Sequence, residues 1–171
     1  LLKYVSPEEQ HEKLITIVRH FNESLDLLTD PEEKKTISGL NLLAGKKAQS
    51  AIAYLSAFNY FKSGIELLPP TLWDTQYALA FQLHKGYAQN AYQLNDLATA
   101  EASIDLLLSN AHTKFEKVEL LAIRMRQYTT LGKPEEAIYA GIEGLKLLGY
   151  KLPPDPGALT VLKEVLVAKW N

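Results

Sequence analysis

Four histidines, three pairs of adjacent glutamates, one glycine–lysine–lysine run and two tryptophans are the residues of this chain best suited to act on a ligand. His11, His20, His84 and His112 never share a helix at a spacing of three or four, the spacing that brings two imidazoles onto one metal. They read as surface or hydrogen-bonded histidines, with His20 and His84 the candidates for partial burial. Cysteine is absent, which excludes thiol catalysis, disulfides and cysteine-ligated zinc. Glu8-Glu9, Glu32-Glu33 and Glu135-Glu136 each follow a proline at a helix start, where carboxylates offset the positive end of the helix dipole. That accounts for them without acid–base chemistry, and no spacing marks a Ser–His–Asp set. Ala44-Gly45-Lys46-Lys47 looks like the tail of a phosphate-binding loop. Such a loop needs an earlier glycine where Leu40 stands and a hydroxyl where Lys47 stands, and it follows a strand. The expectation is therefore no catalytic, cofactor-binding or metal-ligating residue.

Trp73 and Tyr77 lie one turn apart, directly after Pro69-Pro70. Either they pack one helical pair on the next, or they anchor a peptide or partner helix. Trp170 reads as part of an interface with sequence beyond this chain. Trp73, Tyr77 and Trp170 are the candidate partner contacts.

The elements that would position these residues are helical. Ser6-Pro7-Glu8-Glu9 is a helix-start signal, followed at helical spacing by Leu14, Ile17, Val18, Phe21, Leu25 and Leu28. Asp30-Pro31-Glu32-Glu33 repeats that signal and opens a helix through Ile37, Leu40 and Leu43 toward Gly45. Tyr54, Phe58, Phe61, Ile65 and Leu68 form one apolar stripe, with Ala53, Ala57 and Gly64 beside it. No Gly, Pro or Asn separates Ala48 from Tyr54, so residues 45–68 read as one long helix or as two joined by a turn. After the prolines, Thr71 caps a helix with Leu72, Leu79, Leu83, Tyr87, Ala91 and Leu94. Asn95-Asp96 is a turn before Leu97, Ala100, Ile104 and Leu107. Thr113 with Glu116 caps a helix carrying Val118, Leu121, Ala122, Met125 and Tyr128. Pro134 opens another with Ala137, Ile138, Gly141, Leu145 and Leu148, stopped at Gly149. A connector from Lys151 to Gly157 leads to a last helix with Leu159, Leu162, Val165 and Leu166. No stretch alternates with period two, so no strand is expected.

Composition narrows the function classes. The chain has 171 residues, 47% of them hydrophobic, enough for one domain or one repeat array. No run approaches the roughly 18 apolar residues of a membrane helix. Eighteen basic and 20 acidic side chains give a formal charge of −2, without the basic stripe of a nucleic-acid surface. The chain begins at Leu1 and its only methionine is Met125, so it reads as a piece excised from a longer protein. No signal segment is visible, and a cytoplasmic location is expected.

Gly45, Tyr54, Ala57, Phe61, Gly64 and Pro69 resemble, in order and spacing, a tetratricopeptide unit. Ala57, Ala100 and Ala137 each follow a turn, at intervals of 43 (57 to 100) and 37 (100 to 137) residues, against about 34 in a standard unit. The resemblance implies an all-α chain: a right-handed α-α superhelix of about three degenerate hairpins with flanking N- and C-terminal helices. Residues 6–36 would form the N-terminal flanking helix and connector, 37–70, 71–111 and 112–150 the hairpins, and 151–171 the linker and last helix, all in one domain, 1–171. A plain helical bundle is the competing architecture.

A wider resemblance rests on His20-Phe21-Asn22, the run from Leu40 to Ala48, Tyr54-x-x-Ala57, Gly64-x-x-Leu67-Leu68, Trp73-x-x-x-Tyr77, Glu136-Ala137-Ile138 and Leu147-Leu148-Gly149. Together these are similar to the helical region after the predicted P-loop ATPase module in large bacterial signalling proteins. Those proteins join a serine/threonine kinase-like domain, the ATPase, this region, a GAF domain and a sensor histidine kinase. No catalytic motif of those domains occurs here, so the resemblance implies a non-enzymatic scaffold that contacts protein or intramolecular domains and transmits signals. A ligand-binding sensor or an enzyme with a pocket between helices is the alternative. Nucleic-acid recognition is a third, disfavoured by the balanced charge.

Overall fold

A computed structural model describes residues 7–23, 28–69 and 71–150. Among them are eight helices and no strand: α1 (Pro7–Asn22), α2 (Pro31–Ser50), α3 (Tyr54–Glu66), α4 (Leu72–Thr75), α5 (Tyr77–Gln93), α6 (Leu97–Asn110), α7 (Lys114–Thr130) and α8 (Pro134–Leu147). The all-α class expected from periodicity is what the chain adopts. Two compact units are present, Leu1–Ser103 and Ile104–Asn171, and α6 runs through their boundary. Leu25, the connector from Lys151 and the helix expected around Leu159 to Leu166 fall outside the described residues.

Local chemistry sets the helix ends. The Asp30 carboxylate accepts from the Glu33 backbone N–H at 3.0 Å, and Pro31 fills the first turn of α2, where its missing N–H has no partner to lose. Thr113 and Glu116 close a reciprocal capping box on α7, as their spacing predicts. Residues 45–68 form two helices. The turn between them, Ala51-Ile52-Ala53, uses a device that recurs after α5 and α7. One residue turns left-handed at φ near +60°, and the N–H groups of that residue and the next reach back to the last carbonyls of the helix. Ile52 (φ 61°), Asn95 (φ 61°) and Gly132 (φ 69°) occupy this position. The paired bonds are Ile52 to Gln49 with Ala53 to Ala48, Asn95 to Tyr92 with Asp96 to Ala91, and Gly132 to Thr129 with Lys133 to Tyr128. Gly149 (φ 91°) ends α8 in the same way, with Gly149 bonded to Lys146 and Tyr150 to Leu145.

Ile52 explains why the first turn left no sequence signature. A β-branched residue in the left-handed region costs roughly 1–2 kcal/mol, and glycine there avoids this but loses about 0.5–1 kcal/mol through its freer unfolded chain. Ile52→Gly is therefore expected to raise stability by about 0.5–1 kcal/mol, read as a higher urea midpoint. A lower midpoint would mean that the isoleucine side chain makes a contact worth more than the strain.

The first unit is built on α2, α3 and α5, which pack on one another, with α1 against α2. Phe61 is its pivot. The ring is fully buried, and it lies where Gly45 of α2 and Gly86 of α5 have no side chain. A Cβ at Gly45 would stand 2.7 Å from Phe61 Cε1, and one at Gly86 would stand closer still. Gly64 plays the same part for Leu83, whose Cδ2 would be 2.7 Å from an added Cβ. Small residues on three helices thus let their axes approach around one large ring and one leucine. Ala48, Ala57, Phe61, Leu68, Ala80 and Leu83 make the buried cluster of this unit.

Polar residues inside the unit are used structurally. Ser38 Oγ donates to the Gly64 carbonyl at 2.7 Å across the α2–α3 contact. Asn22 and Asn41 exchange two amide hydrogen bonds of 2.8 and 2.9 Å, tying the end of α1 to the fully buried Asn41 on α2. Removing one partner leaves the other desolvated and unsatisfied, so Asn41→Ala is expected to destabilise by about 1–3 kcal/mol. Asn22→Ala added to it should cost little more, and full additivity in a double-mutant cycle would contradict the pairing.

Two readings of the pattern need correction. One helix was expected from Leu72 to Leu94, but the chain breaks at Gln76 (φ −140°, ψ 38°), between α4 and α5. The break lets Trp73 fold back onto His84, a residue about 16 Å further along had the helix been continuous. The N-terminal stripe was expected to reach Leu28, but Leu28 lies in non-helical chain, and Leu25 falls outside the described residues; on α1 Val18 is buried, whereas Ile17 is 46% exposed.

In the second unit α7 packs on α8. Ala137, Ile138, Ala140 and Gly144 are buried on α8. On α7 the buried set is Leu120, Leu121, Ile123 and Gln127. Of the stripe read from sequence, Val118, Leu121, Ala122, Met125 and Tyr128, Leu121 is buried, and with Val118, Ala122 and Met125 it lines an apolar cleft of about 270 Å³ against Gly141, Leu145 and Leu148. An added Cβ at Gly141 would meet the Met125 sulfur at 3.1 Å, so alanine there would push the methionine side chain aside by a few tenths of an ångström. Ala57 (0%), Ala100 (1%) and Ala137 (6%) are all buried, each five positions after its left-handed residue.

Candidate functional site

The break at Gln76 assembles an aromatic cluster. Trp73 stacks on His84 with ring centroids 5.2 Å apart and meets Tyr77 at 6.1 Å. Tyr77 continues to Phe81 at 5.7 Å, and the Lys85 ammonium sits 5.9 Å from the Phe81 ring. On the α3 side Phe58 stacks on Tyr87 at 4.5 Å. Trp73 and Tyr77 thus lie against each other across the break, one on α4 and one on α5. Trp73 is half-buried and packs against the buried cluster around Phe61, so much of its surface serves the core. Trp170 lies outside the described residues.

His84 joined this cluster unforeseen. Its environment is set by burial: it is 9% exposed, and desolvation lowers its pKa from 6.5 to about 4. Among the described residues no carboxylate lies within ion-pair or hydrogen-bond reach of it. At neutral pH it is an uncharged ring stacked on an indole. The unfolded chain binds a proton near pH 6.5 and the folded chain only near 4. The neutral form's contribution is therefore complete above about pH 6.5 and is lost as the pH falls through the window from 6.5 to 4. The loss should approach about 3 kcal/mol at the acid end. His84→Phe should flatten this part of the pH–stability profile relative to wild type, and parallel profiles would contradict it. Tyr87 is shifted upward, first by burial and then by the charges of Asp96 and Glu66.

The glycine–lysine–lysine run lies within α2, with Gly45 buried beneath Phe61, so its backbone N–H groups are committed to the helix. Glu32 and Glu33 occupy the first turn of α2, and Glu135 and Glu136 that of α8. Among the described residues no group of three or more His, Asp or Glu side chains could hold a metal, and no helix is long and apolar enough to cross a membrane. Beside the aromatic cluster the surface carries the apolar cleft between α7 and α8, a shallow cleft of about 480 Å³ on α2 lined by Leu43, Lys46, Lys47, Ser50 and Ala51, and a more polar cleft of about 340 Å³ where Glu32, Lys34 and Lys35 of α2 face Glu66 and Gln76.

No family model matches the chain, and no solved structure matches it. A curated protein, the hybrid signal transduction histidine kinase G of Dictyostelium discoideum, is 24% identical over 160 residues, covering 88% of this chain. The chain spans 5% of the length of that kinase, and the likeness is consistent with a signalling protein.

Proposed function

We propose that this chain is a non-catalytic scaffold of about three degenerate tetratricopeptide-like hairpins, stacked as a right-handed superhelix with flanking helices. It would work in the cytoplasm within a larger multidomain kinase and ATPase signalling protein, as one domain contacted by its neighbours. The observation that carries this reading is the threefold recurrence of one turn. Ile52, Asn95 and Gly132 each turn left-handed with the same pair of backbone bonds, and a buried alanine follows five residues later. A recurring turn followed by a recurring small residue is what a stack of helical pairs needs. The likeness to a hybrid histidine kinase supports the signalling context.

A sensor with a ligand between helices is the second reading, and the apolar cleft of about 270 Å³ on α7 and α8 is the feature that favours it. Ligand pockets usually measure about 300–1,000 Å³ and carry a few converging polar groups. This cleft is lined by apolar side chains, so contact is the better reading. Pull-down of the flanking domains of the parent protein by the isolated chain, with a thermal-shift screen of small molecules, tests both. Retention of at least one flanking domain is expected. Retention of none, together with a melting shift from a small molecule, would replace the scaffold by a sensor.

A further inference from the structure

The deeper inference rests on the contact reading and concerns what is contacted. Charge is segregated along the chain. From Lys34 to Ile65 there are five lysines and not one aspartate or glutamate, and this stretch makes up nearly all of the α2–α3 hairpin. Lys35 is paired with Glu32 at 3.9 Å and Lys62 with Glu66 at 3.8 Å, both at the end of the hairpin away from its turn. Lys46 and Lys47, toward the turn, have no carboxylate partner among the described residues.

These two lysines do not stand alone. Leu43, Lys46, Lys47 and Ser50 fall at i, i+3, i+4 and i+7 on α2, and with Ala51 they line the shallow cleft of about 480 Å³. The core uses the other face of α2, through Ile37, Asn41, Ala44, Gly45 and Ala48. Leu43 is 52% exposed, Ile52 in the turn 71% and Leu55 on the first turn of α3 62%. Ile52 costs stability in its backbone and gains little from burial, so the fold of the first unit by itself does not account for an isoleucine there.

We propose that the turn end of the α2–α3 hairpin docks an acidic amphipathic helix of a protein partner. The partner's leucine-type side chains would cover Leu43, Ile52 and Leu55, and its carboxylates would pair with Lys46 and Lys47. Two cations are too few for a lipid surface, where electrostatic anchoring takes about four to eight. They are also few for a nucleic acid, whose non-specific affinity grows with the number of phosphates that lysine and arginine neutralise. Exposed leucine and isoleucine side chains beside Lys46 and Lys47 fit the apolar and charged positions of an amphipathic helix.

Fluorescence anisotropy with the whole 171-residue chain tests this. The probe is a labelled helical peptide of about four turns, with leucine at every third and fourth position and glutamate elsewhere. The comparison probes are its lysine-for-glutamate counterpart, phosphatidylglycerol vesicles and a single-stranded oligonucleotide. The acidic peptide should bind best, more weakly as salt rises. Lys46→Glu with Lys47→Glu should weaken it at least about tenfold, while Lys34→Glu with Lys35→Glu should change it less than about twofold. Leu43→Ser should weaken binding with the circular-dichroism spectrum unchanged. Equal binding of the two peptides, preference for vesicles or oligonucleotide, or indifference to the Lys46 and Lys47 changes would overturn the proposal. Equal retention of a flanking domain by wild type and by the Lys46/Lys47 variant would also overturn this placement while leaving the contact reading intact.

Discussion

Phe61→Ala is expected to destabilise the chain by about 3–5 kcal/mol, the largest effect of any single substitution considered. The ring is fully buried, and the backbones of Gly45 and Gly86 lie against it. Collapse into the space would require α2 and α5 to move together, and Ser38 and Asn41 hold α2 in place by hydrogen bonds to Gly64 and Asn22. The cavity should therefore persist and the cost should lie toward the upper end. Urea unfolding checks this directly. A loss below about 1 kcal/mol would mean that the three helices do not close on this ring.

Gly86→Ala is the second. Alanine at an exposed helix interior gains about 0.5–1 kcal/mol over glycine, because glycine loses more freedom on folding. At Gly86 the new methyl would collide with the Phe61 ring, which is itself confined by Gly45. Overpacking of this kind costs about 1–3 kcal/mol or more and should outweigh the propensity gain. Gly39 is the internal control, since it lies in the same kind of helix with nothing within 4 Å of an added Cβ. Gly39→Ala should stabilise and Gly86→Ala destabilise, a difference of sign. Two stabilising substitutions would show that α5 sits further from α3 than the structure has it.

The periodicity of apolar residues made the helical class and most helix starts legible, because Pro31, Thr113 and Pro134 carry their capping chemistry in the residues themselves. The turn at Ile52 was legible only through the spacing of Tyr54 and Ala57, since an isoleucine in the left-handed region gives no local sign. The break at Gln76 was hidden for a different reason. Leu72, Leu79 and Leu83 keep helical phase across it, and only the stacking of Trp73 on His84 requires the chain to fold back. Asn22 and Asn41 stood inside the segments that carried the wider resemblance, and their reciprocal amide pair gives those segments a structural part. His84 was read as a candidate for partial burial but not as a partner of Trp73, because their stacking depends on the break at Gln76. The surface around Lys46 and Lys47 escaped notice because the whole-chain charge of −2 averages the acid-free stretch from Lys34 to Ile65 with acidic flanks.

The central claim is that the described helices present a surface for neighbouring domains, and hydrogen–deuterium exchange tests it most directly. Exchange would be followed on the chain alone and mixed with each domain proposed to flank it. The account predicts slowed exchange at solvent-facing positions of at least one helical hairpin in one mixture, with the amides around Phe61 unchanged. Identical exchange in every mixture, across all the described helices, would contradict it.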